Sequence, residues 1–164
     1  MPDTGFPPIA RADARILILG SMPGQKSLAA RQYYAHPQNA FWRIMGELVA
    51  ADDSYEQRCS ALTSNGIALW DVLHRSERPG SMDADIRADQ SEINDFQGFF
   101  DRHPALSRVG FNGQMAAKLF RQLVDQQLQD TIEHIVVMPS TSAAYASMPY
   151  AEKLRRWRDF IKAN

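Results

Sequence analysis

The 164-residue chain is predicted to fold as an α/β domain of three layers, α/β/α, around a short, mostly parallel four-stranded sheet. Three observations predict this. Four short apolar runs are each closed by turn-forming or polar residues, as buried parallel strands are. Stretches with apolar residues at helical spacing lie between them, so the chain reads as repeated βαβ units with helices on both faces. A hydrophobic fraction of 45% and this length suit one soluble domain with a proper core.

The strand candidates are "RILILG" (Arg15 to Gly20), "GIALWDVL" (Gly66 to Leu73), "RVGFN" (Arg108 to Asn112) and "IEHIVVM" (Ile132 to Met138). Asn39 to Val49 carries Phe41, Trp42, Met45 and Leu48 on one helical stripe. Gln114 to Val124 carries Met115, Leu119, Phe120 and Leu123, and Tyr150 to Ile161 carries Leu154, Trp157, Phe160 and Ile161. Tyr55 to Ser64 and Glu92 to Phe100 are weaker helix candidates. Arg75 to Gln90, with Pro79-Gly80-Ser81, reads as a long loop of the kind that often carries function. One domain spans residues 1–164, with 1–13 expected as a poorly ordered arm.

Composition excludes several classes. "MPDTGFPPIA" has neither the charged region nor the apolar run of a signal peptide, and no stretch approaches the ~20 apolar residues of a membrane span, so a cytoplasmic location is expected. A single Cys, Cys59, and four scattered His leave no disulfide and no metal cluster; neither metal nor cofactor is expected. Net charge is −1, but unevenly placed. Asp83 to Asp101 holds six acids against Arg87, and Ala151 to Asn164 holds five bases against Glu152 and Asp159. A basic C-terminal helix can touch phosphates, although a solvated helix face is the better explanation of it taken alone.

In such folds ligands sit at the carboxyl ends of the strands. Those ends are Gly20 to Gly24, Trp70-Asp71, Asn112-Gly113 and Met138 to Ser142. The stretch "YYAHPQNAFW" (Tyr33 to Trp42) follows the first of them. Phe41 and Trp42 lie on an apolar helix stripe and read as core. Asn39 suits a helix N-cap, His36 before Pro37 is held extended, and Asp71 ends an apolar strand, where an acid is as often functional as not. Tyr33 and Tyr34 fall off the stripe and suit contact with something flat. Phosphate-loop, dinucleotide and serine-hydrolase patterns fail: "GSMPGQKS" has the wrong spacing, no G-x-G-x-x-G follows the first strand, and Ser140 and Ser142 lack a nucleophile elbow.

Taken together, "GSMPG", "YYAHPQNAFW", "ALWDVL", "FNG" and "MPSTS" resemble the motifs of the uracil-DNA glycosylase superfamily, in order from Arg15 to Trp157. The pattern is most similar to the hypoxanthine-DNA (DNA-deoxyinosine) glycosylase family, family 6. The resemblance implies a monofunctional glycosylase of double-stranded DNA, acting as a monomer. It implies Asn39 as the residue holding the attacking water, and a base pocket of Ser21, Met22, Tyr34, Trp70 and Asp71. It implies DNA contacts from Pro23, Gly24, Ser27, Pro139, Ser140, Thr141 and Ser142. Two positions depart from the wider superfamily. Met22 stands where most families place Asp or Asn, and cannot hold water; Met138 replaces a His that would stabilise charge on uracil O2, which argues against efficient uracil excision.

The residues then suggest a mechanism. A base must leave the stack before it can be cut, and Tyr34 can restore the lost stacking, with Tyr33 as pocket wall or packing. Asp71 can accept from N1–H of hypoxanthine, whereas adenine offers a bare acceptor there. A stretched N-glycosidic bond needs only a positioned water. Without a Lys at the water-holding position no Schiff base forms, so an abasic site is left. A nucleobase-binding domain, an inactive DNA-binding relative and a glycosylase for uracil or another lesion remain open on the sequence alone.

Overall fold

The computed structural model describes residues 2–51, 54–77 and 86–163. Strands β2 (Ile16–Gly20), β3 (Ile67–Asp71), β6 (Arg108–Asn112) and β7 (His134–Met138) form a four-stranded sheet in the order β3-β2-β6-β7. All three pairings are parallel. The helices are α1 (Gln25–Ala30), α2 (Phe41–Val49), α3 (Tyr55–Ser64), α4 (Phe96–Arg102), α5 (Gln114–Leu123), α6 (Gln126–Asp130) and α7 (Tyr150–Lys162).

Side chains alternate across a strand, and here the alternation splits the interior into two cores. Leu17, Leu19, Ala68, Trp70, Val109 and Phe111 face one side, where Phe96 and Phe99 of α4 and Leu119 and Phe120 of α5 cover them. Ile16, Ile18, Ile67 and Leu69 face the other, under Phe41, Trp42, Ile44 and Met45 of α2, Leu62 of α3 and Trp157 and Phe160 of α7. This is the expected three-layer arrangement. Helix α7 comes so close to the sheet that a Cβ on Gly110 would lie 2.5 Å from the Phe160 ring.

Several expectations change in detail. "GIALWDVL" is two strands, because the chain leaves the parallel sheet after Asp71. Leu73–Ser76 becomes β4, which pairs antiparallel with β1 (Asp3–Thr4) and β5 (Ser91–Ile93) in a second, three-stranded sheet ordered β1-β4-β5. Part of the expected Arg75–Gln90 loop is therefore strand, and a 3-10 turn occupies Ala88–Gln90; residues 78–85 lie outside the described ones. The helix expected from Glu92 begins only at Phe96, where Asp95 caps it by accepting from Gly98 N–H at 3.0 Å. The short helices α1 and α6 carry too few residues to show a period.

The N-terminal arm is held rather than loose. Ile9 exchanges both backbone hydrogen bonds with Leu69 at 2.9 Å and so covers the outer edge of β3. Gly5 N–H donates to His74 O at 2.8 Å. The Phe6 carbonyl accepts from Trp70 Nε1, and the Pro7 carbonyl from the Tyr33 hydroxyl. No described helix is long and apolar enough to cross a membrane.

Candidate active site

Gly20, Asp71, Asn112 and Met138 end the four parallel strands, with Gly20 opposite Asp71 and Asn112 opposite Met138 in register. They form the floor of the site. Gly20 is the pivot of this row. A Cβ there would lie 2.5 Å from Asp71 Oδ1 and 3.0 Å from the Tyr34 hydroxyl, so the space that a side chain would take is where a carboxylate and a phenol converge. Asp71 is only 4% exposed. Its backbone carbonyl accepts from Asn94 Nδ2 at 2.7 Å, which fixes the strand end that carries it.

Tyr34 reaches this point through an uncommon backbone. Its φ is +54°, a left-handed conformation that a bulky residue adopts rarely and that often marks a functional position. Its ring stacks on Phe41, with centroids 4.2 Å apart. Tyr33 supplies the anchor: it is buried, its carbonyl accepts from Trp42 Nε1 at 2.8 Å, and its N–H donates to the Tyr55 hydroxyl at 3.0 Å. Burial, and then the nearby Asp71 charge, push the Tyr33 phenol well above its ordinary pKa, so it remains a neutral donor to Pro7. Of the two tyrosines, Tyr33 is packing and Tyr34 faces the site.

Beyond them the chain turns sharply. Asn39 N–H donates to His36 O, and His36 Nδ1 accepts from Gln38 N–H, so His36 builds the turn. Asn39 Oδ1 accepts from Phe41 N–H at 2.9 Å. The N-cap of α2 is therefore Ala40 and not the expected Asn39; the Asn39 bond closes a turn just before the helix and fixes the amide at the rim of the site while leaving Nδ2 and a second lone pair on Oδ1 for other partners.

The loop after β7 is tied to this turn. Ala40 N–H donates to Thr141 O at 2.9 Å. Asn112 grips Thr141 twice, Nδ2 to Oγ1 and Oδ1 from N–H, both at 2.9 Å and both buried. Gly113, φ +101°, then turns the chain into α5 with its would-be Cβ against Ser140. From behind, Trp157 Nε1 donates to Pro139 O at 3.1 Å and Lys153 Nζ to Tyr145 O at 2.7 Å.

The structure brings Asn39, Tyr34 and Asp71 to one end of the sheet and reassigns others. Trp70 points to the opposite face, its ring against Phe96 and Phe99, because it precedes Asp71 by one residue in a strand. Met22 lies in that same core, and the Ser21 carbonyl already accepts from Leu73 N–H. Ser27 and Thr141 are interior: Ser27 Oγ accepts from Ala35 N–H, and Thr141 is 1% exposed. Pro23 is buried as well, which leaves Gly24, Pro139, Ser140 and Ser142 nearer the surface. The sequence gives Asn94 no role, Asn112 only a place at a strand end, and Lys153 only a place on the basic C-terminal helix. Two hollows, of about 490 and 420 Å³, lie beside β7 and beneath the N-terminal arm, and neither is lined by Asp71, Tyr34 or Asn39. Among the described residues no three His, Cys, Asp or Glu are grouped to hold a metal.

A parallel four-stranded sheet whose strand ends carry such a row matches a known family over almost the whole chain. The family model described as "Uracil DNA glycosylase superfamily" matches residues 7–161, and the chain belongs to that superfamily. Two proteins named hypoxanthine DNA glycosylase are similar to it. The one from Methanosarcina barkeri is 41% identical over 121 residues, covering 72% of this chain and 75% of the relative. The one from Methanosarcina acetivorans is 38% identical over 143 residues, covering 85% and 86%. A solution NMR structure from Methanosarcina acetivorans, described as a candidate uracil DNA glycosylase, superposes with a TM-score of 0.83 at 34% identity, covering 99% of this chain and 98% of the other.

Proposed function

We propose that the protein is a monofunctional DNA glycosylase that extrudes a deaminated purine, hypoxanthine, from duplex DNA and hydrolyses its N-glycosidic bond to leave an abasic site. The observation that carries this reading is the convergence of the buried Asp71 carboxylate and the Tyr34 hydroxyl above Gly20, in a chain whose relatives bear that enzyme's name.

Tyr34 has one face against Phe41; the other is the surface on which the extruded base stacks, at about 1–3 kcal/mol for such a contact. Asp71 accepts from N1–H of the hypoxanthine. Adenine, with a lone pair at N1, meets the carboxylate unfavourably, and a buried polar group left unmatched discriminates strongly. As the C1′–N9 bond stretches, the sugar becomes cationic and the purine takes the bonding electron pair. Asn39 orients a water on the sugar side; that water adds to C1′ and loses a proton to solvent, and the departing purine anion takes up one proton from solvent to leave as neutral hypoxanthine. Positioning, rather than a strong base, supplies the rate. Near-neutral charge fits a modest, salt-sensitive hold on DNA, with Gly24, Pro139, Ser140 and Ser142 against the backbone.

The test is product analysis. A duplex with one deoxyinosine should yield free hypoxanthine by mass spectrometry and an intact strand that breaks only on alkali treatment. Spontaneous strand cleavage would point to a Schiff-base enzyme, and no released base would refute the reading.

A further inference from the structure

Arg43 has no part in the catalysis described above, but the role inferred for it rests on the glycosylase reading, because its ligand is the backbone of the DNA. It is the only basic residue on α2, and it is exposed. Its guanidinium lies over the Tyr150 ring, 3.7 Å from the centroid. That is close for a cation on an aromatic face, where about 6 Å already gives attraction. Among the described residues no acid and no hydrogen bond engages this guanidinium.

An acid that could neutralise it stands nearby. Glu47 follows Arg43 by four residues on α2, a spacing at which opposite charges reach each other on a helix surface. On α7 this happens: Arg156 pairs with Glu152, four residues before it, at 3.0 Å. Glu47 instead accepts from the Tyr150 hydroxyl at 2.7 Å. Tyr150 thus acts on both residues. Its face holds the Arg43 plane and its hydroxyl occupies the carboxylate. Arg43 is oriented without being neutralised, and a stacked guanidinium keeps its N–H donors at its edges.

The pair also stands where the two segments flanking the site meet. Arg43 is four residues past Asn39, and Tyr150 is the first residue of α7, after the loop whose Thr141 carbonyl accepts from Ala40 N–H. A held, uncompensated fork of donors fits a phosphate, which it can grip through two parallel hydrogen bonds. We propose that Arg43 binds a backbone phosphate of the DNA beside the extruded nucleotide. Tyr150 acts through Arg43 and is a positioning residue.

The experiment measures binding of a duplex with one 2′-fluorodeoxyinosine, whose fluorine disfavours the cationic sugar and so blocks hydrolysis. Fluorescence anisotropy follows wild type, Arg43→Gln, Arg43→Lys and Tyr150→Leu from about 50 to 200 mM NaCl. Melting temperatures control for folding, which an exposed position should survive. In Arg43→Gln the slope of log Kd against log salt should lose about one in magnitude, and affinity at the lowest salt should fall about five- to tenfold. Arg43→Lys should keep the slope, because the charge remains, and recover only part of the affinity, because the fork is lost. Tyr150→Leu should weaken binding although the charge remains; wild-type affinity there would take the positioning role from the ring. Wild-type slope and affinity in a folded Arg43→Gln overturn the inference and leave Arg43 as a tie between α2 and α7. Equal loss of slope in Arg43→Lys overturns it too, since a phosphate contact follows charge. A wild type that binds the duplex but releases no base from ordinary deoxyinosine overturns the glycosylase reading alone, and one that binds no duplex overturns both.

Discussion

Asp71 and Trp70 are neighbours in sequence with opposite fates. The two-residue period of the strand sends Asp71 to the site and Trp70 into the α4–α5 core, a division that was available from "ALWDVL" by alternation alone. Ser27 and Thr141 were not separable in that way. A hydroxyl that ties a loop and one that awaits a phosphate look identical in sequence, and only the observed bonds to Ala35 and Asn112 tell them apart. Asn39 precedes the Ala40 cap of α2 instead of being it, and its Oδ1 bond to Phe41 N–H leaves the amide Nδ2 for another partner. The preference of the enzyme should turn on Asp71. In Asp71→Asn the ratio of excision from inosine over adenine duplexes should fall by at least about tenfold; an unchanged ratio would take base reading away from this carboxylate. Gly20→Ala tests the same point from below, because its Cβ would displace Asp71 and Tyr34. Excision should drop by about tenfold or more.

At the scale of elements, the four parallel strands and the longer helices were legible because their apolar residues keep a clear period over many positions. The small β1-β4-β5 sheet was not. Its strands have two, four and three residues, and distant segments of the chain must meet to form it. The loop after β7 is the element on which the site depends, and Asn112 is its main tie. Asn112→Ala removes both bonds to Thr141 and leaves buried polar atoms without their partners, at about 1–3 kcal/mol. The melting temperature should fall by roughly 2–4 °C per kcal/mol for a domain of this size, and excision should fall with it as the loop loosens. Asn112→Asp, which keeps the acceptor for Thr141 N–H, should lose less. Gly110→Ala tests the packing of α7: its Cβ would meet the Phe160 ring at 2.5 Å, and overpacking of this kind costs about 1–3 kcal/mol by denaturant titration.

At the scale of the molecule, charge is distributed for structure more than for steering. Of the five bases in the last fourteen residues, Lys153 holds the loop after β7, Lys162 donates to Leu48 O, and Arg155 and Arg156 pair with Glu152. DNA affinity should therefore depend on salt only moderately, with a log–log slope of magnitude below about four; a slope near ten would mean a phosphate surface far larger than the one described. The same ion pairs set a pH response. Arg155 and Arg156 hold the Glu152 carboxyl at about 2, below its ordinary 4.5. A carboxyl lowered on folding contributes stability that is fully present above 4.5 and is lost as the pH falls towards 2. Glu152 lies at the protein surface, so the contribution is small: Glu152→Gln should lower the melting temperature slightly at neutral pH, flatten the profile between those values and match wild type near pH 2.

Excision of a deaminated purine with an Asn39-held water is tested most directly by single-turnover rates of wild type and Asn39→Ala. Three otherwise identical duplexes would carry deoxyinosine, uracil or ethenoadenine. Release from deoxyinosine should be fast and release from uracil slight, and Asn39→Ala should lose about a hundredfold with DNA binding retained. Rapid excision of uracil in preference to deoxyinosine, or an Asn39→Ala variant as fast as wild type, would contradict this mechanism.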